Sequence, residues 1–277
     1  MAEESPPSPA GLGFKAPVGI PPRNKRSLSW PALPVEELRT GAWVQFRPKR
    51  DTSISKPLTD LQASDLLDVY PAREPANYRG RRPTTGAFWS STMQDIVLYE
   101  SLLERETVMM ADFDPRILHV ISQPFRLTAL VGGKVRTHTP DYALLGIDAA
   151  VDVLNCKPEH LLTDPKVEEL HAWVHRAITQ AGLRHRVVSE LPQPRSTNLA
   201  FLSHMRNPRW RAGLPLDVVA AAAERPVTID ALVNAMAPDL APEISLSCVR
   251  ALLWLQILVT DLDTALSGAS MVRLSDA

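Results

Sequence analysis

Three residue types that together handle phosphoryl groups lie close along the chain. Asp141 directly follows Pro140, and fourteen residues later Asn155 and Lys157 flank Cys156. A proline cannot donate to a ladder, so Asp141 marks the start of a strand. The apolar runs 142–145 and 150–156, separated by Gly146 to Asp148, read as adjacent strands of one sheet. Side chains alternate along a strand, which puts Asn155 and Lys157 on one face and turns Cys156 to the other. A carboxylate on one strand, with an amide oxygen and an ammonium on its neighbour, is what metal-assisted phosphodiester cleavage requires. The oxygens hold Mg²⁺ (or Mn²⁺), which polarises a phosphoryl oxygen and acidifies a bound water, and the ammonium orients that water or neutralises developing charge. The arrangement carries the meaning, because an ordinary turn aspartate and a solvated lysine are written in the same letters.

Other candidates compete. Glu100 and Glu104 stand i and i+4 on an expected helix, so either can face a groove, and both can equally be solvated. His171 and His175 share that spacing, but His-Ala-Trp-Val-His lacks the glutamate of a zincin helix and reads as a surface or core pair. Cys156 reads as a small buried residue rather than a nucleophile. Asp152 falls on the wrong parity of its strand and is background.

The elements that must position these residues begin near Phe88. Over residues 88–111, Ile96, Leu98, Tyr99, Leu102, Leu103, Met109 and Met110 fall on one arc at 100° per residue, with no Gly or Pro between, which predicts one long amphipathic helix. Residues 117–130 read as strand, turn, strand broken at Pro124. Gly132-Gly133 turns the chain back into a strand over 135–138. A helix over 165–181 closed by Gly182, then a strand over 184–189, completes a mixed α/β sheet with flanking helices.

The chain has 277 residues and a formal net charge of -1, yet residues 1–90 hold thirteen Lys and Arg against nine Asp and Glu. Thirteen of the 25 prolines also lie there. Residues 1–40 therefore read as a disordered, Pro-rich basic arm. The clusters Arg23, Lys25, Arg26, then Arg47, Lys49, Arg50, then Arg79, Arg81, Arg82 suit either a phosphate-binding arm or solubilising charge around a linker. Two cysteines exclude a disulfide framework and lack paired zinc-site spacing, which fits a reducing cytoplasm. No apolar run reaches the roughly 20 residues of a membrane span, and no secretory signal is expected. Beyond a connector with Arg206, Arg209, Trp210 and Arg211, helices are expected over 218–223, over 228–236 with Thr228 as N-cap, and from Ser245 or Ser247 to 259. A two-stranded wing over 260–262 and 270–274 follows. This winged-helix-like segment, 206–277, carries more acid than base, so protein docking and DNA contact both stay open.

Five ordered segments give these candidates a frame. Tyr99-Glu100-Ser101-Leu102-Leu103-Glu104-Arg105-Glu106, Phe113-Asp114-Pro115, Ser122-Gln123-Pro124-Phe125, Thr139-Pro140-Asp141-Tyr142 and Leu154-Asn155-Cys156-Lys157-Pro158 together resemble the TnsA-type transposase endonuclease subunit, of the restriction-endonuclease-like class. The resemblance implies an endonuclease domain over 41–205 with its core at 88–190. It places Glu104 as the helix glutamate, Asp141 as the metal-binding aspartate and Lys157 as the catalytic lysine. Asn155 stands where many nucleases of this fold carry an acid, and the backbone carbonyl of Cys156 is implied as a further metal ligand. The implied function is a Mg²⁺-dependent endonuclease subunit, nucleoid-associated when on DNA, that nicks double-stranded DNA at transposon ends with a transposase subunit and an ATPase regulator. Arg79, Arg81, Arg82 and Arg136 are the candidate DNA contacts. The alternative is a catalytically silent DNA-binding or docking subunit that keeps the scaffold.

Overall fold

The computed structural model describes residues 29–49, 51–73, 85–237 and 239–276. Residues 1–28 of the expected arm, with Arg23, Lys25 and Arg26, lie outside the described residues, as do Arg50, Arg79, Arg81 and Arg82. Within the 1–40 stretch expected to be disordered, Val35–Thr40 forms a helix (α1). Trp30, just before it, lies 4.3 Å from the Arg47 guanidinium, and Pro31 O accepts from Gln45 Nε2 at 2.9 Å. These contacts fasten the approach segment to the first sheet.

The molecule is mixed α/β. β1 (Trp43–Lys49) and β2 (Thr52–Pro57) open the first sheet, and β3 (Gly86–Ser90) pairs antiparallel with β4 (Asp95–Tyr99). After α2 (Leu102–Phe113) come β5 (Ile117–Ser122), β6 (Arg126–Val131), β7 (Lys134–His138), β8 (Tyr142–Gly146) and β9 (Val151–Cys156). α3 (Pro165–Gln180), β10 (Arg184–Val188) and α4 (Arg195–Leu202) follow. One sheet runs β2-β1-β6-β7 and a second runs β10-β9-β8-β5, in which β9 and β10 are parallel and the other neighbours antiparallel. The chain changes sheets between β5 and β6, at Gln123-Pro124. Gln123 adopts φ 47°, a left-handed conformation that costs a non-glycine residue about 1–3 kcal/mol. Backbone bonds to Asp141 and Ala72, both 2.8 Å, over-determine that corner.

The single helix expected over 88–111 is instead a hairpin followed by a shorter helix. The cause is a buried carboxylate. Asp112 accepts from Ser90 Oγ at 2.6 Å, Ser91 N at 3.1 Å, Ser91 Oγ at 3.0 Å and Thr92 N at 2.9 Å, so the Ser-Ser-Thr run turns around it. Phe88, Ser90 and Val97 point inward with the period of a strand, and β-branched Ile96 and Val97 favour that state. Ser101 then caps α2, its hydroxyl accepting from Glu104 N at 3.1 Å.

Alternation along the second sheet separates two apolar cores. Val120, Tyr142, Leu144 and Leu154 face α2 and the C-terminal helices, whereas Ile121, Ala143, Leu145, Val151 and Val153 face α3 and the first sheet. Each fully buried side chain of this size contributes about 1.5–3 kcal/mol. Tyr142, wholly buried, also donates to Leu98 O at 2.9 Å and so ties β4 to the sheet that holds Asp141.

The C-terminal segment contains α5 (Leu216–Ala222), β11 (Val227–Thr228), α6 (Ile229–Met236), α7 (Pro242–Trp254), β12 (Leu258–Thr260) and β13 (Met271–Leu274). Thr228 caps α6, accepting from Ala231 N at 3.1 Å, as expected. α7 starts at Pro242 rather than at Ser245 or Ser247, because proline is well suited to the first helical position, and Ser245 is fully buried. The hairpin strand lies at 258–260, two residues earlier than expected, and β11 adds a third strand on β13. The segment joins the first core: Trp254 packs on Phe113 with ring centroids 5.2 Å apart, and Asn198 Nδ2 donates to Leu262 O and Thr264 O at 2.8 and 2.7 Å. No helix among the described residues is long and apolar enough to cross a membrane.

Candidate active site

Asp141 sits where β8 begins. Its N–H donates to Leu154 O at 3.0 Å and its carbonyl accepts from Gln123 N at 2.8 Å, so both edges of the peptide are held by the sheet. Its carboxylate accepts from the backbone N–H of Cys156 on β9 at 2.7 Å. Burial raises the Asp141 pKa; the Cys156 N–H, Arg73 and Lys157 oppose that shift, and the charge of Glu100 adds to it.

Glu104 is the third residue of α2, across a cleft of about 450 Å³ that both acids line. Its carboxylate accepts from Glu100 N at 2.7 Å and from Ser101 Oγ at 3.1 Å. The same side chain therefore caps the helix and faces the cleft. Burial raises its pKa, the Glu100 N–H lowers it, and the charge of Asp141 raises it again. Lys157 lines the cleft from the end of β9, its backbone fixed by Val188 O at 2.9 Å and Ser189 Oγ at 2.8 Å.

Glu100 is not on the helix with Glu104. It precedes the Ser101 cap, is buried, and accepts from Arg73 Nη2 at 2.9 Å and Gln123 Nε2 at 2.7 Å. Nothing in the local sequence announces this, because its partners lie 27 and 23 residues away. Arg73, Arg126, Thr137, His138, Thr139, Leu170 and His171 also line the cleft, and of these only His171 stands out in the sequence by type and spacing.

Asn155, 2% exposed, lies on the α3 side of the sheet with its amide engaged at both ends. Nδ2 is 2.7 Å from His138 Nε2, and Oδ1 is 3.0 Å from His185 Nε2. Burial pushes the His138 and His185 pKa values down to about 4, so both imidazoles are neutral at neutral pH. With the amide so oriented, Nδ2 donates to His138 and Oδ1 accepts from His185. The amide oxygen is thus committed to an imidazole. The Cys156 thiol points the other way, donating to Thr107 Oγ1 at 3.3 Å, and burial pushes its pKa well up, the state of an inert thiol.

His175 Nδ1 lies 3.3 Å from His185 Nδ1, and the His171 ring is stacked 6.4 Å from His185. Among the described residues no three His, Cys, Asp or Glu side chains are grouped to hold a metal ion. Two carboxylates, Asp141 and Glu104, remain the side chains that could bind one, with waters completing the shell, as Mg²⁺ tolerates. Each is disfavoured as an anion by burial and by a neighbouring negative charge, and a divalent cation would remove that penalty. Arg136 stands apart on β7, paired with Glu169 at 3.1 Å, and Asp152 pairs with Arg186 at 2.7 Å.

No protein-family model matches the chain, and no curated protein matches it. Fold and cleft together define a mixed α/β protein with two desolvated carboxylates and a lysine around one opening.

Proposed function

We propose that the chain is a divalent-metal-dependent DNA endonuclease subunit of the TnsA-like kind, nicking DNA at transposon ends beside a separate transposase. The observation that carries this reading is the convergence of Asp141, Glu104 and Lys157, from three different elements, on one cleft fringed by Arg73 and Arg126. Hydrolysis of a phosphodiester asks for a barrier reduction on the order of 20 kcal/mol. Bound Mg²⁺ or Mn²⁺ supplies a Lewis acid and a water of lowered pKa. Asp141 and Glu104 would hold it, and the Cys156 N–H keeps the Asp141 carboxylate from swinging away. Lys157 presents a fixed positive charge to the developing oxyanion, and Arg73 and Arg126 attract the phosphate groups. The C-terminal helices and three-stranded sheet are read as a winged-helix-like module beside this nuclease unit.

The test is nicking of supercoiled plasmid by the purified chain, with and without the partner transposase, in Mg²⁺, Mn²⁺ or EDTA. Divalent-dependent nicks that vanish in Asp141→Asn support the reading; no nicking in any arm contradicts it. One observation favours a second reading. The Asn155 oxygen accepts from His185, and among the described residues no three-ligand group is assembled, which suits a catalytically silent subunit that keeps the scaffold to dock on DNA.

A further inference from the structure

Arginine charge is neutralised over much of the described surface. Arg73, Arg116, Arg136, Arg184, Arg186 and Arg195 each have a carboxylate oxygen within 3.1 Å. Arg105, Arg126, Arg176, Arg206, Arg209, Arg225 and Arg250 have no carboxylate partner among the described residues; of these, Arg105 is on α2, Arg250 on α7, and Arg206 and Arg209 on the turns that follow α4 and pack on α7, so four gather along one seam.

The seam is built to hold those charges in place. The Arg206 guanidinium lies 4.7 Å above the Phe88 ring and donates to Trp89 O at 2.9 Å and Ser203 O at 2.8 Å. Arg250 lies 3.8 Å over Phe201 and donates to Phe201 O at 2.8 Å. Arg209 lies 4.9 Å from the ring of Trp210. Phe201 is 43% and Trp210 36% exposed, so each stacked pair shows water a flat, half-apolar face beside a cation. Arg105 is exposed on α2, near enough for its charge to act on Arg206. Asp112, an acid whose charge acts on Arg206, is buried and spent on the Ser90, Ser91 and Thr92 donors.

We infer that this seam is a binding surface for the phosphodiester backbone of duplex DNA, continuing from the carboxylate cleft. Guanidinium forks match phosphate oxygens; Arg206 and Arg250 give donors to backbone carbonyls and hold the seam's charge in place, so Arg105 and Arg209 are the side chains that reach the phosphates. Continuity with the cleft comes from α2. It turns Glu104 into the cleft and leaves Arg105, the next residue, exposed and near enough for its charge to act on Arg206. The inference rests on the nuclease reading for the identity of the polymer and names a surface that reading does not otherwise supply.

The experiment is fluorescence anisotropy of a labelled duplex with the full chain in EDTA, where no cleavage occurs, over a range of salt. The test variant is Arg105→Gln/Arg209→Gln, which leaves the Arg206 and Arg250 struts intact. The control is Arg184→Gln/Arg273→Gln, whose arginines are already paired with Asp148 and Asp276. Circular dichroism checks that both fold. At a slope of about 0.9 per neutralised phosphate, the test variant should lose roughly two from the log–log salt slope and about tenfold in affinity at low salt, with the control within about twofold of wild type. An unchanged test variant, an equal loss in the control, a wild type that does not bind duplex, or tighter binding of the matching single strand would each overturn the inference. Nicking by a protein whose seam variants bind normally overturns the seam alone. Seam-dependent binding by a protein that never nicks overturns the nuclease reading alone.

Discussion

The backbone N–H of Cys156 donates to the carboxylate of Asp141 at 2.7 Å, so the strand that ends in Lys157 also aims the acid on the strand beside it. The two charges are thereby set by one pair of antiparallel strands, β8 and β9, whose register is fixed by buried Tyr142 opposite Leu154.

Asp141→Asn separates the charge from the hydrogen bond, since the amide oxygen still accepts from Cys156. The Asp141 pKa is raised in the fold, so the folded protein holds this proton more tightly than the unfolded chain. Stability from that source is present at low pH and is lost as pH rises through the folded pKa. In the absence of divalent ions, Asp141→Asn should melt above wild type by a few degrees at neutral pH, with the difference closing below about pH 4. Thermal melts at the two pH values check it; a variant that melts below wild type at neutral pH would contradict it.

Glu104→Gln and Glu100→Gln should separate activity from stability. Glutamine at 104 keeps an acceptor for the cap, so folding should change by less than about 1 kcal/mol while nicking falls by roughly a hundredfold or more. Glutamine at 100 weakens a buried carboxylate's bond to Arg73, which is half-exposed, and should cost about 1–2 kcal/mol in urea unfolding. If Glu100→Gln leaves stability intact and removes activity while Glu104→Gln does not, the roles are exchanged.

Asn155→Asp places a carboxylate between two imidazoles whose pKa values burial holds at about 4. The anion should raise both toward neutrality, visible in the NMR titration of the His138 and His185 ring protons. Asn155→Ala, which leaves Nε2 of both rings without its partner, should cost about 1–3 kcal/mol. Histidine titrations that do not move in Asn155→Asp would show that the amide does not bridge them.

Asp112→Ala removes the acceptor around which residues 90–92 turn. Four donors lose a charged partner, so a loss of at least about 3 kcal/mol in unfolding free energy is expected, measured by chemical denaturation. A change under about 1 kcal/mol would mean the turn holds without it.

The strands β5 to β10 and the helix α3 were legible because Pro124, Gly132-Gly133, Pro140 and Gly182 punctuate them and the apolar runs between have strand or helix period. Residues 88–111 misled because their apolar positions suit both periods, and the deciding contact, Asp112 with Ser90 and Ser91, is tertiary. Residue type and order also point to Asp141 and Lys157, whereas the choice of Glu104 over Glu100 comes only from the family resemblance. The burial of Glu100 depends on Arg73 and Gln123, and the engagement of Asn155 on His138 and His185, 17 and 30 residues away. No local pattern encodes such pairings, since they arise only when the two sheets and α3 close around the same opening.

The claim at the centre of this account is that the Asp141–Glu104 cleft holds a divalent metal. Calorimetric titration of Mn²⁺ into the full chain tests it most directly, run at neutral pH and again near pH 5 with Asp141→Asn alongside. The account predicts one saturable site, weakened at the lower pH because protons compete for two carboxyls whose pKa values are raised, and absent from Asp141→Asn. Binding of equal strength in Asp141→Asn, or no binding by the wild-type chain, would contradict it.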